Sequence, residues 1–233
     1  MKRVLLSWSS GKDSAWALHT LRAQPGVEIV GLLTTFNETN NRVAMHGVRM
    51  ELAQKQAEAA DLPLWSVPLP FPCSNEDYEV RMRAVIQRAR SAGVTHVAFG
   101  DLFLEDIRAY RERMLAGTGI QPLFPIWRAR SDTKALAAAM LAGGLRAVLV
   151  TIDPKQLDPA LAGCFYDEHL LSELAESVDP CGENGEFHTF CFDGPMFKRP
   201  ISIQVGETVT RDGFLFTELN STATSCRLCR LRW

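Results

Sequence analysis

Val4-Leu5-Leu6-Ser7-Trp8-Ser9-Ser10-Gly11-Lys12-Asp13-Ser14 is the stretch whose reading decides the fold. Val4-Leu5-Leu6 is an apolar run of the kind that forms a buried parallel strand. Ser9-Ser10-Gly11 breaks it, and from Asp13 onward Ala15, Leu18 and Leu21 recur at helical spacing beside Trp16 and Ala17. A strand, a tight turn of small residues and a helix N-terminus together form an anion site. The turn's N–H groups converge, the helix end carries partial positive charge, and Lys12 adds a full one. The common phosphate loop, G-x-x-x-x-G-K-[ST], is excluded because residue 6, five before Gly11, is Leu.

Working outward, Pro25-Gly26 ends the first helix and residues 27–36 read as a second strand. Such a βαβ unit is right-handed and parallel, with its ligand crevice at the strand C-termini, so Thr34 to Phe36 are expected beside the loop, against adenine or ribose. Met45-His46-Gly47-Val48-Arg49 leads into a helix, with His46 a candidate nucleotide contact or an ordinary helix-start histidine. A short strand at 64–68 and a helix over about 75–92 follow. Residues 94–101 read as a buried strand ending in Gly100-Asp101. A carboxylate there is placed to hold Mg²⁺ or a hydroxyl, or to cap the next helix. The helix from 104 to 115 carries Arg108, Arg111 and Arg113, either as cations for phosphates or as a solvated face.

Residues 147–152 form the last clean buried strand, and the alternation up to that point fixes the class as α/β. Beyond Asp153-Pro154 the texture becomes loops and short alternating strands. Residues 201–205 and 214–219 look like an antiparallel pair. We therefore expect an ATP-binding domain over 1–130 and a smaller α+β substrate domain over 131–233.

The 233 residues are 46% hydrophobic, ample for such a core, and the net charge of -2 argues against a nucleic-acid partner. No apolar run approaches the ~20 residues needed to span a bilayer, and Met1-Lys2-Arg3 leads directly into a strand, so a cytoplasmic protein without a membrane partner is expected. Six cysteines in a chain of this length do not suggest a disulfide scaffold.

A second polar site lies in Asp179-Pro180-Cys181-Gly182-Glu183-Asn184-Gly185-Glu186-Phe187-His188-Thr189-Phe190. Two glycines permit tight turns, Glu183 and Glu186 are three residues apart, and Phe187 and Phe190 anchor the loop. The carboxylates are suited to Mg²⁺ or to steering an amine, and His188 to moving a proton. A turn with solvated glutamates is the plainer alternative.

Ser9-Ser10-Gly11-Lys12-Asp13-Ser14 resembles the PP-loop, S-G-G-K-D-S, of ATP pyrophosphatases, which cleave ATP between the α- and β-phosphates; Ser10 stands where Gly is usual. With Met45 to Arg49, Phe99-Gly100-Asp101, Pro125-Ile126-Trp127, Gly182 to Thr189 and Asp193-Gly194-Pro195, the chain resembles over nearly its whole length the diphthine–ammonia ligase family. The resemblance implies a Rossmann-like (HUP-type) PP-loop sheet with helices on both faces, followed by a smaller domain peculiar to the group. It implies ATP and Mg²⁺ as cofactors, the latter on Asp13 and Asp101. A substrate carboxylate attacks the α-phosphate, pyrophosphate leaves, and ammonia displaces AMP to give an amide. Lys12, Asp13, Glu183, Glu186 and His188 would be catalytic. Ser9 to Ser14, Thr34, Phe36, His46, Gly100 and Asp101 would hold ATP, and Gly182, Glu183, Gly185, Glu186, Phe187, His188 and Thr189 the acceptor. In eukaryotic and archaeal members that acceptor is diphthine, a modified histidine of a translation elongation factor. The lack of a long C-terminal extension points to a compact, prokaryote-type member.

Two rival readings are a tRNA-thiolating PP-loop enzyme and a nucleotide-binding module without turnover. The first brings catalytic cysteines and a basic module, of which the only trace is Cys226-Arg227-Leu228-Cys229 in a tail with Arg230 and Arg232. The second would not need the polar loop at 179–189. A homodimer is left open.

Overall fold

The computed structural model describes residues 1–222, so the Cys226/Cys229 pair falls outside the described residues. The N-terminal half runs β1 (Lys2–Ser7), α1 (Lys12–Arg22), β2 (Val27–Asn37), β3 (Arg42–Val43), α2 (Met50–Ala60) and β4 (Leu64–Leu69). It continues through α3 (Asn75–Ser91), β5 (His96–Ala98), α4 (Glu105–Leu115) and β6 (Gln121–Leu123). The C-terminal part contains α5 (Thr133–Ala142), β7 (Arg146–Ile152), β8 (Phe165–Tyr166), α6 (Glu168–Glu173), β9 (Phe187–Asp193), β10 (Ile203–Arg211) and β11 (Phe214–Ser221).

β4, β2, β1, β5 and β6 pair in that order, all parallel, and β3 runs antiparallel to the end of β2. β1 is buried on both faces, as its apolar run requires. Val4 and Leu6 join a core with α1, while Leu5 joins one with α3 residues Met82, Val85, Ile86 and Ala89. α1 has small Ala15 and Ala17 beside Leu18 and Leu21, all buried, so it fits between the first sheet and the second.

The second sheet is antiparallel, in the order β10, β11, β7, β8, with β9 also on β7. The strand read as the last of the α/β alternation is thus the centre of this other sheet. Its two faces explain the reading. Ala147, Leu149 and Ile152 pack toward α1 and α5, and Val148 and Val150 toward α2, so the run is continuously apolar whichever way its neighbours point.

One buried side chain ties the layers. Gln56 of α2, fully buried, accepts a hydrogen bond from Trp8 Nε1 (2.9 Å) and donates to the carbonyls of Ser10 (2.9 Å) and Cys191 (2.6 Å). Gln56→Leu would leave an indole N–H and weaken the satisfaction of two carbonyls, at about 2–4 kcal/mol. That should lower the thermal midpoint by roughly 5–15 °C. An unchanged midpoint in a calorimetric scan would show that the staple contributes nothing.

Candidate active site

The C-terminal ends of β1, β2 and β5 open into a cleft of about 1090 Å³ whose far wall is the second sheet. Gly11 and Gly100 are where the wall is thinnest. A Cβ on Gly11 would lie 2.7 Å from His46 Cε1, and one on Gly100 3.0 Å from the Ser14 backbone nitrogen. Ser10, the departure from the usual glycine, has φ +72, in the left-handed region that glycine occupies without cost. Its hydroxyl is buried with no hydrogen-bond partner.

The loop is held from across the cleft. Lys12 N–H donates to Thr189 Oγ1 (3.1 Å), Cys191 N–H to the Ser10 carbonyl (2.9 Å), and Thr189 O faces His46 Nδ1 (2.9 Å). That last contact assigns the proton to His46 Nδ1, leaving Nε2 as an acceptor. His46 stacks on His188 at 4.7 Å between ring centroids. Burial first, then each ring's cationic neighbours, depress His46 to about 3 and His188 to about 4, so both imidazoles are neutral at pH 7.

The Lys12 ammonium is 2% exposed. It donates to Asp13 Oδ2 (2.9 Å) and to the Cys181 carbonyl, and lies over the rings of Tyr166 (5.5 Å) and Phe187 (5.3 Å). Burial opposes its charge, but Asp13 and the surrounding acidic groups outweigh it, and the net shift is upward. Tyr166 in turn donates to the Pro180 carbonyl (2.9 Å), fixing the turn that presents Cys181 O. Glu183 accepts from Leu102 N–H (2.8 Å); burial, aided by Asp13 and Asp101, lifts it to about 8. Asp101 lines the cleft and meets Arg111 of α4 at 3.4 Å, rather than capping that helix, whose N-cap is Leu104.

Four residues assigned to the site from sequence sit elsewhere. Leu33, Thr35 and Asn37 of β2 line the cleft, so the period of two turns Thr34 and Phe36 to the opposite face. Glu186 is buried within its own loop: Oε1 accepts from Asp179 N–H (2.9 Å) and Asn184 Nδ2 (2.8 Å), and Oε2 from Asn184 N–H (2.9 Å). It braces the turn instead of facing the cleft, and Gly185 lies at the open tip of that turn. Ser9, Lys12, Asp13, Ser14, His46, Gly100, Asp101, Gly182, Glu183, Phe187, His188 and Thr189 all line the cleft.

Residues 1–122 match the family model "Diphthamide synthase N-terminal domain", and residues 132–220 match "Diphthamide synthase C-terminal domain". The chain belongs to the diphthamide synthase family. A diphthine–ammonia ligase of Danio rerio is 33% identical, over 94% of this chain and 96% of its own length. One of Homo sapiens is 24% identical over 92% and 87%, and one of Schizosaccharomyces pombe 26% over 89% of this chain but 37% of its own. Compactness therefore does not separate this member of the diphthamide synthase family from eukaryotic ones: the two vertebrate relatives are spanned almost end to end, and the long extra portion belongs to the fission yeast protein.

Within this diphthamide synthase site, Tyr166, Thr35 and Gln56 carried no motif in the sequence. Thr35 follows from strand alternation; Tyr166 and Gln56 had no signal, since each acts through a contact more than ten residues away.

Replacing Ser10 by Gly should relieve a left-handed side chain and remove an unpartnered hydroxyl, raising stability by about 1 kcal/mol. In thermal unfolding that is a gain of roughly 2–4 °C. A lower midpoint would mean that the serine is itself a needed part of the loop.

Proposed function

We propose that the chain is an ATP-dependent, AMP-forming amide ligase of the diphthine–ammonia type, working in the cleft between the two sheets. The observation that carries this reading is the encounter of the loop 9–14 with the loop 179–189 around the Lys12 ammonium, in a cleft large enough for a nucleotide and a second reactant. A module that only bound nucleotide would not require the second loop.

In the first step an acceptor carboxylate oxygen attacks the α-phosphorus, and the bond from that phosphorus to the bridging oxygen breaks as pyrophosphate leaves. The amide groups at the start of α1 and the Lys12 ammonium, held in position by Asp13 and Cys181 O, stabilise the charge that gathers on the leaving group. Lys12 uses two of its three donors on the protein, leaving one for the phosphates. Mg²⁺ accompanying the triphosphate would lower that charge further. The buried Asp13 Oδ1 has no protein partner and fits such a cation, and Asp101 lies on the same wall. Among the described residues no group of three or more ligating side chains is preassembled, as suits a cation that arrives with phosphates.

In the second step ammonia attacks the acyl carbon, AMP leaves with the electrons of its bond, and the nitrogen sheds a proton. Glu183, near pH 8 in its balance, is both able to hold a proton and able to take one. The neutral His46 and His188 offer acceptor nitrogens to an N–H nucleophile. We assign Asp13, Lys12, Glu183, His46 and His188 to the chemistry, and Gly182, Phe187 and Thr189 to the wall that receives the acceptor. A tRNA-thiolating enzyme is less well supported. Burial pushes the Cys181 thiol up to about 12 and the Cys191 thiol higher still, so neither is a thiolate at neutral pH. No helix among the described residues is long and apolar enough to cross a membrane, which accords with a cytoplasmic acceptor.

The test follows the nucleotide. With ATP, magnesium, ammonium and a diphthine-bearing acceptor, AMP and pyrophosphate should form in step with amide, and Lys12→Ala should lower the rate by a hundredfold or more. ADP and phosphate as products, abolished by Lys12→Ala, would contradict α/β cleavage.

A further inference from the structure

β10 is the outermost strand of the second sheet, and among the described residues it pairs with β11 alone. Eight of its nine residues are exposed, with Val205 and Val209 showing 37% and 39% of their surface. Natural proteins blunt such edges with proline, lysine or short length. Ile203–Arg211 contains neither residue, and one irregularity, between Val205 and Thr208, is its sole interruption. From there the strand is regular to the turn at Asp212-Gly213.

On that regular stretch Glu207, Val209 and Arg211 share one face, the face on which Val209 lies opposite Phe216 and Arg211 opposite Phe214. Thr208 and Thr210 occupy the other. Two such strands brought together antiparallel about a twofold axis at Val209 would be self-complementary. Val209 meets its own copy, Thr208 meets Thr210, and Glu207 meets Arg211 twice by symmetry. An axis at Glu207 would oppose like charges, and one at Thr208 would leave Arg211 without an acidic partner.

We propose that two copies of this chain associate edge to edge through β10, with Glu207 of each opposite Arg211 of the other. The second sheets then join into one continuous sheet. Val209 and Arg211 line the cleft, so the added strand continues the cleft wall and sets a second copy's Glu207 at its rim. The pairing is independent of which acceptor the cleft takes.

Sedimentation of the full chain over a concentration series tests this. The wild type should dimerise, and Glu207→Arg and Arg211→Glu should each weaken association roughly tenfold by opposing like charges across the strands. The double variant E207R/R211E should return to within about threefold of wild type, because the pairs are restored with reversed sign. Both positions are exposed, and unchanged circular dichroism and thermal midpoints would show that the variants fold. A wild type that stays monomeric throughout would overturn the proposal, whether the edge is free or held by another occupant. So would single variants that dimerise normally, or a double variant no tighter than the singles.

Discussion

The backbone of Ser10 to Lys12 is shared property of two sheets, and the rest of the molecule is arranged to make that sharing possible. The Ser10 carbonyl accepts from Cys191 N–H of β9 and from Gln56 of α2, and the next-but-one amide, Lys12 N–H, donates to Thr189 of β9. Each bond is buried, and each is worth about 1 kcal/mol net but more to leave unmade. A loop of small residues, one of them left-handed, has little packing of its own. Its shape is set by these contacts with a strand nearly 180 residues away. The helix α1 then has to be narrow where it passes between the sheets, which is why alanines accompany its leucines.

That constraint also organises the electrostatics. A lysine ammonium enclosed to 2% exposure is stable only with close acceptors, and it has a carboxylate, a carbonyl and two aromatic faces. Only Asp13 comes from its own loop; Tyr166, Cys181 and Phe187 come from the second sheet and its connections. The histidine pair, shut away beside this cation, is driven to the neutral form, while Glu183, among other carboxylates, is driven toward its proton. Acid, neutral base and cation stand side by side at one pH because one loop faces the other.

Much of this was legible in the residues, and the reason differs from element to element. Lys2–Ser7 and Lys12–Arg22 announce themselves because a doubly buried strand and a helix with one apolar stripe have different periods. β7 announces its burial equally well but not its partners, since antiparallel neighbours on a strand covered on both faces leave the same apolar run. Thr34 and Phe36 were placed by proximity to the loop, whereas the pleat alternates, and Thr35 takes the cleft. Glu183 and Glu186 look alike in sequence. Only the folded turn distinguishes the one aimed into the cleft from the one consumed by Asp179 and Asn184. Tyr166 and Gln56 were invisible because their partners are set by packing between sheets, which no local pattern encodes.

The most direct test of this account is amide hydrogen exchange at Lys12 in the wild type and in Thr189→Val. If β9 presets the loop, removing the Thr189 acceptor should speed exchange at the Lys12 amide by about tenfold, the equivalent of one hydrogen bond, while the amides of α3 keep their protection. Unchanged exchange at Lys12, with the variant folded, would contradict the claim that the second sheet holds the loop in shape.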